Sequence, residues 1–167
     1  MIELSSGCWA RLSIGEWRDR LSYLDDVPFD LLNAMIEGCQ NHSPVSVKFN
    51  AEGYEYIVVI DFLDTYVIYE ESEAAAMLMT KSCEKRCAVD DDCAVIHFKV
   101  PRRDLAAELI KDIRSDVKGW AEFYSVEPEE IGPRQLELLS LCRKLESLLA
   151  NPAPGTVYRD YAPNNIC

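Results

Sequence analysis

Val45-Ser46-Val47-Lys48-Phe49-Asn50-Ala51-Glu52-Gly53-Tyr54-Glu55-Tyr56-Ile57-Val58-Val59-Ile60-Asp61-Phe62-Leu63-Asp64-Thr65-Tyr66-Val67-Ile68-Tyr69-Glu70 is the stretch that decides the fold. Val45, Val47 and Phe49 alternate with Ser46, Lys48 and Asn50, the period of two expected of a half-buried strand. Ala51 to Gly53 is a glycine-containing turn of hairpin length. Tyr54 to Phe62 then carries β-branched and aromatic residues on both parities, as a central strand does. Leu63-Asp64-Thr65 turns the chain again into Tyr66 to Glu70. Three strands joined by connections this short predict an antiparallel meander.

Outward from the meander the period changes. Glu71 to Met79 is rich in Ala and Met and predicts a helix, and Lys81 to Asp92 reads as an irregular, charged, exposed loop. Cys93 to Val100 alternates again as a strand. Pro101 opens a long amphipathic helix striped by Leu105, Leu109, Ile113, Val117 and Trp120, broken over Val126 to Gly132, and Pro133 starts a last helix that ends before Asn151. Towards the N-terminus, a short strand is expected around Ile2 to Leu12. Ser13-Ile14-Gly15-Glu16 has the spacing of a capping box, and Trp17, Leu21 and Leu24 continue it at helical spacing. Pro28 predicts a second helix carrying Phe29, Leu32, Ile36 and Cys39. Together these elements predict an α+β fold: an antiparallel sheet of four to five strands around the meander, with helices on one face, in one domain over residues 1–150 and a Pro/Asn-rich tail over 151–167.

The chain has 167 residues, 29 Asp and Glu against 17 Lys and Arg, and a net charge of -12. Such a surface repels phosphate backbones and anionic headgroups, so nucleic acid and membranes are not the expected partners unless a metal or a local basic patch intervenes. No apolar run approaches the ~20 residues that span a bilayer, and the first residues lack the pattern of a secretory leader; a cytoplasmic protein is expected. The 7 cysteines, an odd number without paired spacing, are read as reduced thiols, with Cys39 and Cys142 as small buried hydrophobes.

Cys83, Cys87, Cys93 and His97 have the one metal-like spacing, and its last part resembles that of the CCCH zinc-finger family, which binds RNA. On a strand, however, Cys93 and His97 stand ~13 Å apart, too far to share one zinc. No metal and no cofactor are therefore expected. Asp61 and Asp64 at a strand end are read as turn chemistry. A Ser/His/Asp or Cys/His arrangement would have to use His42 or His97, yet no nucleophile-elbow or cysteine-protease signature surrounds any Ser or Cys, and no phosphate-binding glycine motif occurs. Catalysis is not expected from these patterns. The alternatives carried forward are a small hydrolase, metal-dependent through Asp61 and Asp64 or thiol-dependent through Cys87 with His97, and an acidic regulatory scaffold.

The charge is local. Glu52 to Asp92 holds 11 acidic residues against 3 basic ones, so eight of the twelve excess negative charges fall in a quarter of the chain. Tyr54, Tyr56, Tyr66 and Tyr69 occur in the same region, and tyrosines beside carboxylates suit the anchor-and-rim anatomy of a protein interface. The sequence thus predicts a binding surface for a basic protein made of Asp61, Asp64, Tyr66, Tyr69, Glu70, Glu71, Asp90, Asp91 and Asp92. The sharpest form of this expectation is a bacterial immunity protein that occludes a cationic, nuclease-type toxin domain, by analogy of character rather than by a transferred site.

Overall fold

The computed structural model describes residues 1–5, 9–51, 53–69, 86–90, 93–124 and 127–151, with the backbone alone for 86–90, 93 and 94. The meander is as expected: β4 (Val45–Asn50), β5 (Glu55–Ile60) and β6 (Thr65–Tyr69) pair antiparallel in succession. They belong to a five-stranded sheet of order β4-β5-β6-β8-β7, in which β8 (Cys93–Phe98) pairs with β6 and with β7 (Arg86–Asp90). The fold is α+β, with two corrections to the expected strands. Arg86 to Asp90 is an edge strand rather than loop, because β8 offers its second edge to be paired. The expected helix over 71–79 and most of the tail lie outside the described residues.

The second correction is larger. The expected helix from Ser13 is a hairpin. β1 (Ile2–Leu4), β2 (Trp9–Ile14) and β3 (Trp17–Ser22) form a separate three-stranded antiparallel sheet, with Ile14 opposite Trp17 across the two-residue turn Gly15-Glu16. Gly15 takes φ +59°, which glycine adopts without the steric cost of a side chain, and glycine at the first central position is the signature of a tight hairpin turn. Trp17 and Leu21 are four apart, a spacing that one helix face and one strand face both satisfy.

The inner faces of the two sheets meet through aromatic rings. Val47, Phe49, Tyr56, Val58, Ile60, Val67, Tyr69 and Ile96 are the buried apolar set of the larger sheet, and Ile2, Ala10, Leu12, Ile14, Trp17 and Leu21 that of the smaller. The Trp17 ring meets Tyr56 edge-on at 5.6 Å between centroids and lies 6.3 Å from Phe98. The expected helices on one face of the sheet are therefore joined there by β-structure.

Helix α1 (Val27–Asn41) has a proline in its first turn, packs on β4, and buries Leu31, Leu32, Met35 and Ile36. The expected long helix is two: α2 (Arg102–Ser115) and α3 (Val117–Phe123). Asp116 interrupts them with φ -149°, and its carboxylate caps α3 by accepting from the Gly119 backbone N–H. Helix α4 (Pro128–Ala150) begins five residues earlier than Pro133 marks. Pro128 fits a helix start, and Glu129 and Glu130 complement the dipole in its first turn. α4 covers α1 and α3, burying Leu138, Cys142 and Leu145. Burial raises the Cys142 thiol pKa, and Cys39 is half-buried against the core, in keeping with structural thiols. Among the described residues no helix is long and apolar enough to cross a membrane.

Candidate functional site

The turn between β5 and β6 is built by its two aspartates. The Asp61 N–H donates to the Asp64 carbonyl at 2.9 Å, and the Asp61 carboxylate accepts from the Phe62 N–H at 2.7 Å. Aspartate suits such a position because its short side chain reaches its own neighbouring backbone. The turn is tied to α2 from below: the Arg102 N–H donates to the Phe62 carbonyl, and the Arg102 guanidinium lies 4.7 Å from the Phe62 ring centroid. Phe62 is thereby held down and Leu63 is left at the tip, 42% exposed.

Register then brings a third strand to the turn. Tyr66 of β6 stands opposite His97 of β8. The two rings stack at 4.8 Å with 16° between their planes, and the His97 Nε2–H donates to the Asp64 carboxylate at 2.7 Å. Both partners are about one-third exposed, 37% for His97 and 34% for Asp64. Asp61, Leu63, Asp64, Tyr66 and His97 thus form one surface, with carboxylates around an apolar tip and an aromatic ring at one end of the sheet.

The nine expected surface residues divide. Asp61, Asp64 and Tyr66 are brought together. Tyr69 is fully buried and is removed from any docking surface: it lies three residues from Tyr66 on one strand, hence on the opposite face. Asp90 is the last residue of β7, its backbone paired with Cys93. Glu70, Glu71, Asp91 and Asp92 lie outside the described residues. His97 joins Asp61, Asp64 and Tyr66, and its alternation parity against buried Ile96 is the sequence signal that places it on the outer face.

Tyr69 works inside instead. The Asp19 carboxylate of β3 accepts the Tyr69 hydroxyl at 2.5 Å and the Tyr54 hydroxyl, while Trp17 Nε1–H donates to the Tyr69 oxygen at 3.2 Å. Tyr56 donates to the Arg20 carbonyl at 2.8 Å. Burial, and after it the Asp19 charge, pushes the Tyr54, Tyr56 and Tyr69 hydroxyls well above the ordinary tyrosine range, so all three remain neutral donors. This network joins the two sheets. Three of the four tyrosines that the sequence grouped with the carboxylates are accordingly cross-links of the interior, not surface anchors.

β8 is a strand over Cys93–Phe98, which keeps Cys93 and His97 apart as the sequence predicts, and His97 is engaged by Asp64. Among the described residues no group of three or more His, Cys, Asp or Glu is arranged to hold a metal ion. The turn patch can supply negative charge, one hydrogen-bonded imidazole and apolar contact area. Comparison with protein-family models, with curated proteins and with solved structures finds no match.

Proposed function

We propose that the protein is a non-catalytic binding protein that engages a basic protein through the β5–β6 turn patch. Its sharpest form is a cytoplasmic immunity protein that occludes a cationic, nuclease-type toxin domain. The observation that carries the reading is the clustering of Asp61 and Asp64 around exposed Leu63 and half-buried Tyr66 at the β5–β6 turn. Carboxylates at a rim accelerate encounter with a cationic partner, and a central aromatic and an aliphatic tip supply the desolvated contact. Pull-down from the native host, followed by co-expression with any toxic partner recovered, tests the proposal. Rescue of growth by the wild-type chain and not by Asp61→Lys/Asp64→Lys supports it. Equal rescue by both removes the acidic turn from the account.

One observation favours a second reading, a thiol-dependent hydrolase. Asp64 orients His97, and strand register sets the Cys87 backbone opposite Val95, two residues from His97 along β8. Hydrolysis of an activated ester that is abolished by both Cys87→Ala and His97→Ala selects this reading over the binding one.

A further inference from the structure

The outer face of the three-stranded sheet gathers positive charge on an otherwise acidic chain. Along β2 and β3, Ala10, Leu12, Ile14, Trp17 and Leu21 point into the core, and Asp19 turns inward to Tyr54 and Tyr69. The opposite parity carries Trp9, Arg11 and Ser13 on β2, facing Ser22, Arg20 and Arg18 on β3. Arg11, Arg18 and Arg20 are exposed and Trp9 is half-buried, with the Arg20 guanidinium 5.7 Å from the Trp9 ring centroid. Among the described residues carboxylate compensation is partial: Glu3 of β1 stands opposite Arg11. Glu3 lies 3.6 Å from Arg11 and is 73% exposed, and Glu16 is exposed in the turn beside Arg18. Arg11 stands directly opposite Arg20, and like charges facing each other across a strand pair weaken the sheet. The Arg11–Arg20 pairing is therefore not itself a stabilising device of the sheet.

We propose that this face docks an extended, carboxylate-bearing segment of a partner protein. Guanidinium forks match carboxylates in plane and in hydrogen-bond number. Same-face residues of a strand repeat at roughly 6.6 Å, so Arg18 and Arg20 present two forks at the spacing of alternate carboxylates on an extended peptide, with Arg11 beside the second and Trp9 as the apolar contact. A short peptide fits the charge distribution better than nucleic acid. At physiological salt, charges are screened beyond ~8 Å, so a short segment experiences the arginines alone, whereas a longer polyanion carries phosphates towards the 29 acidic residues of the chain. The inference is independent of the β5–β6 patch, which has the opposite charge and belongs to the other sheet.

The test is an amide and indole NMR titration of the ¹⁵N-labelled full chain with a peptide of about six glutamates alternating with serine, and separately with oligothymidylate of about eight nucleotides. The peptide is expected to shift the Trp9 indole and the Arg11, Arg18 and Arg20 amides. Arg18→Ser/Arg20→Ser is expected to weaken that binding about tenfold or more while the remaining spectrum stays that of the folded chain. If that variant fails to fold, Arg11→Ser/Arg18→Ser carries the same expectation. No shift at these residues, or binding undiminished in the variants, overturns the proposal. So does tighter, arginine-dependent binding of the oligonucleotide, which assigns the face to nucleic acid. Concentration-dependent self-association abolished by the same substitutions assigns it to a second copy of the chain and overturns it equally.

Discussion

Replacing Arg102 by methionine tests how the acidic turn is held in place. Arg102 is 2% exposed, and its Nη2 donates to the Ser43 carbonyl at 2.5 Å and to the Ile60 carbonyl at 3.1 Å. It thereby clamps the end of α1, the end of β5 and the start of α2 together. No carboxylate lies within ion-pair distance of it among the described residues, and its Nε is buried without a partner. The compensating negative potential is that of the α1 C-terminus, which has no basic residue of its own in its last turn and against which the guanidinium lies at Gly38. Two hydrogen bonds from a charged donor contribute about 3–6 kcal/mol together, and loss of the cation's own desolvation penalty offsets part of this. Methionine fills the stem's volume but removes both donated hydrogen bonds, so Arg102→Met is expected to cost about 3 kcal/mol, or roughly 6–12 °C in Tm. Urea unfolding followed by circular dichroism measures it. Gly38→Ala supplies the control: a Cβ there would meet Arg102 Nη1 at 2.8 Å and Val45 Cγ1 at 2.9 Å. The alanine should be less costly in the Arg102→Met background, where the guanidinium is gone. A loss below about 1 kcal/mol for Arg102→Met, or strictly additive double variants, refutes the clamp.

Two further outcomes follow from the interior. Asp25, Asp26 and Asp30 at the start of α1 have carboxyl pKa values raised above the ordinary 3.8, chiefly by burial, with the Asn50 N–H and Arg134 only partly opposing it at Asp25 and Asp26 respectively, and neighbouring carboxylates reinforcing it at all three. Their folded forms bind protons more readily than the unfolded chain, so their contribution to stability is fully present below 3.8 and is lost as pH rises through the raised values. Thermal melts should therefore show a rise in stability on acidification from pH 7 towards the upper carboxylate range, reduced in Asp25→Asn/Asp30→Asn; an unchanged slope in that variant contradicts the assignment. Asp19→Ala, which strands the Tyr54 and Tyr69 hydroxyls, is expected to cost about 2–4 kcal/mol, and Asp19→Asn, which keeps one acceptor, clearly less. Equal melts for the two variants would show that water replaces the carboxylate.

The meander was legible because its alternation and its turns agree: Val45, Val47 and Phe49 bury one face, and the chain between β4 and β6 leaves no room for any connection but hairpins. The hairpin of Trp9 to Ser22 was not, because Ser13 and Glu16 imitate a capping box while Trp17 and Leu21 satisfy both periods; Gly15 between them carried the deciding information. β7 is not legible in the sequence, since its partner β8, not its composition, makes it a strand. Within the site, Asp61, Asp64 and Tyr66 could be read from local turn and strand chemistry. The Asp64–His97–Tyr66 contact could not, because it is created by pairing β6 with β8 across an intervening stretch of chain. The basic face was hidden for a related reason: Arg11 is separated in sequence from Arg18 and Arg20, and only the hairpin sets them side by side.

The central claim is that the Asp61–Asp64 turn steers a basic protein onto this surface, and the association rate with the partner recovered from the host tests it most directly. Measured by stopped flow at low and at physiological salt, the wild-type rate should fall with salt, and Asp61→Lys/Asp64→Lys should slow association by about tenfold or more at low salt while the chain remains folded. An association rate unchanged by the double reversal and insensitive to salt would contradict the claim.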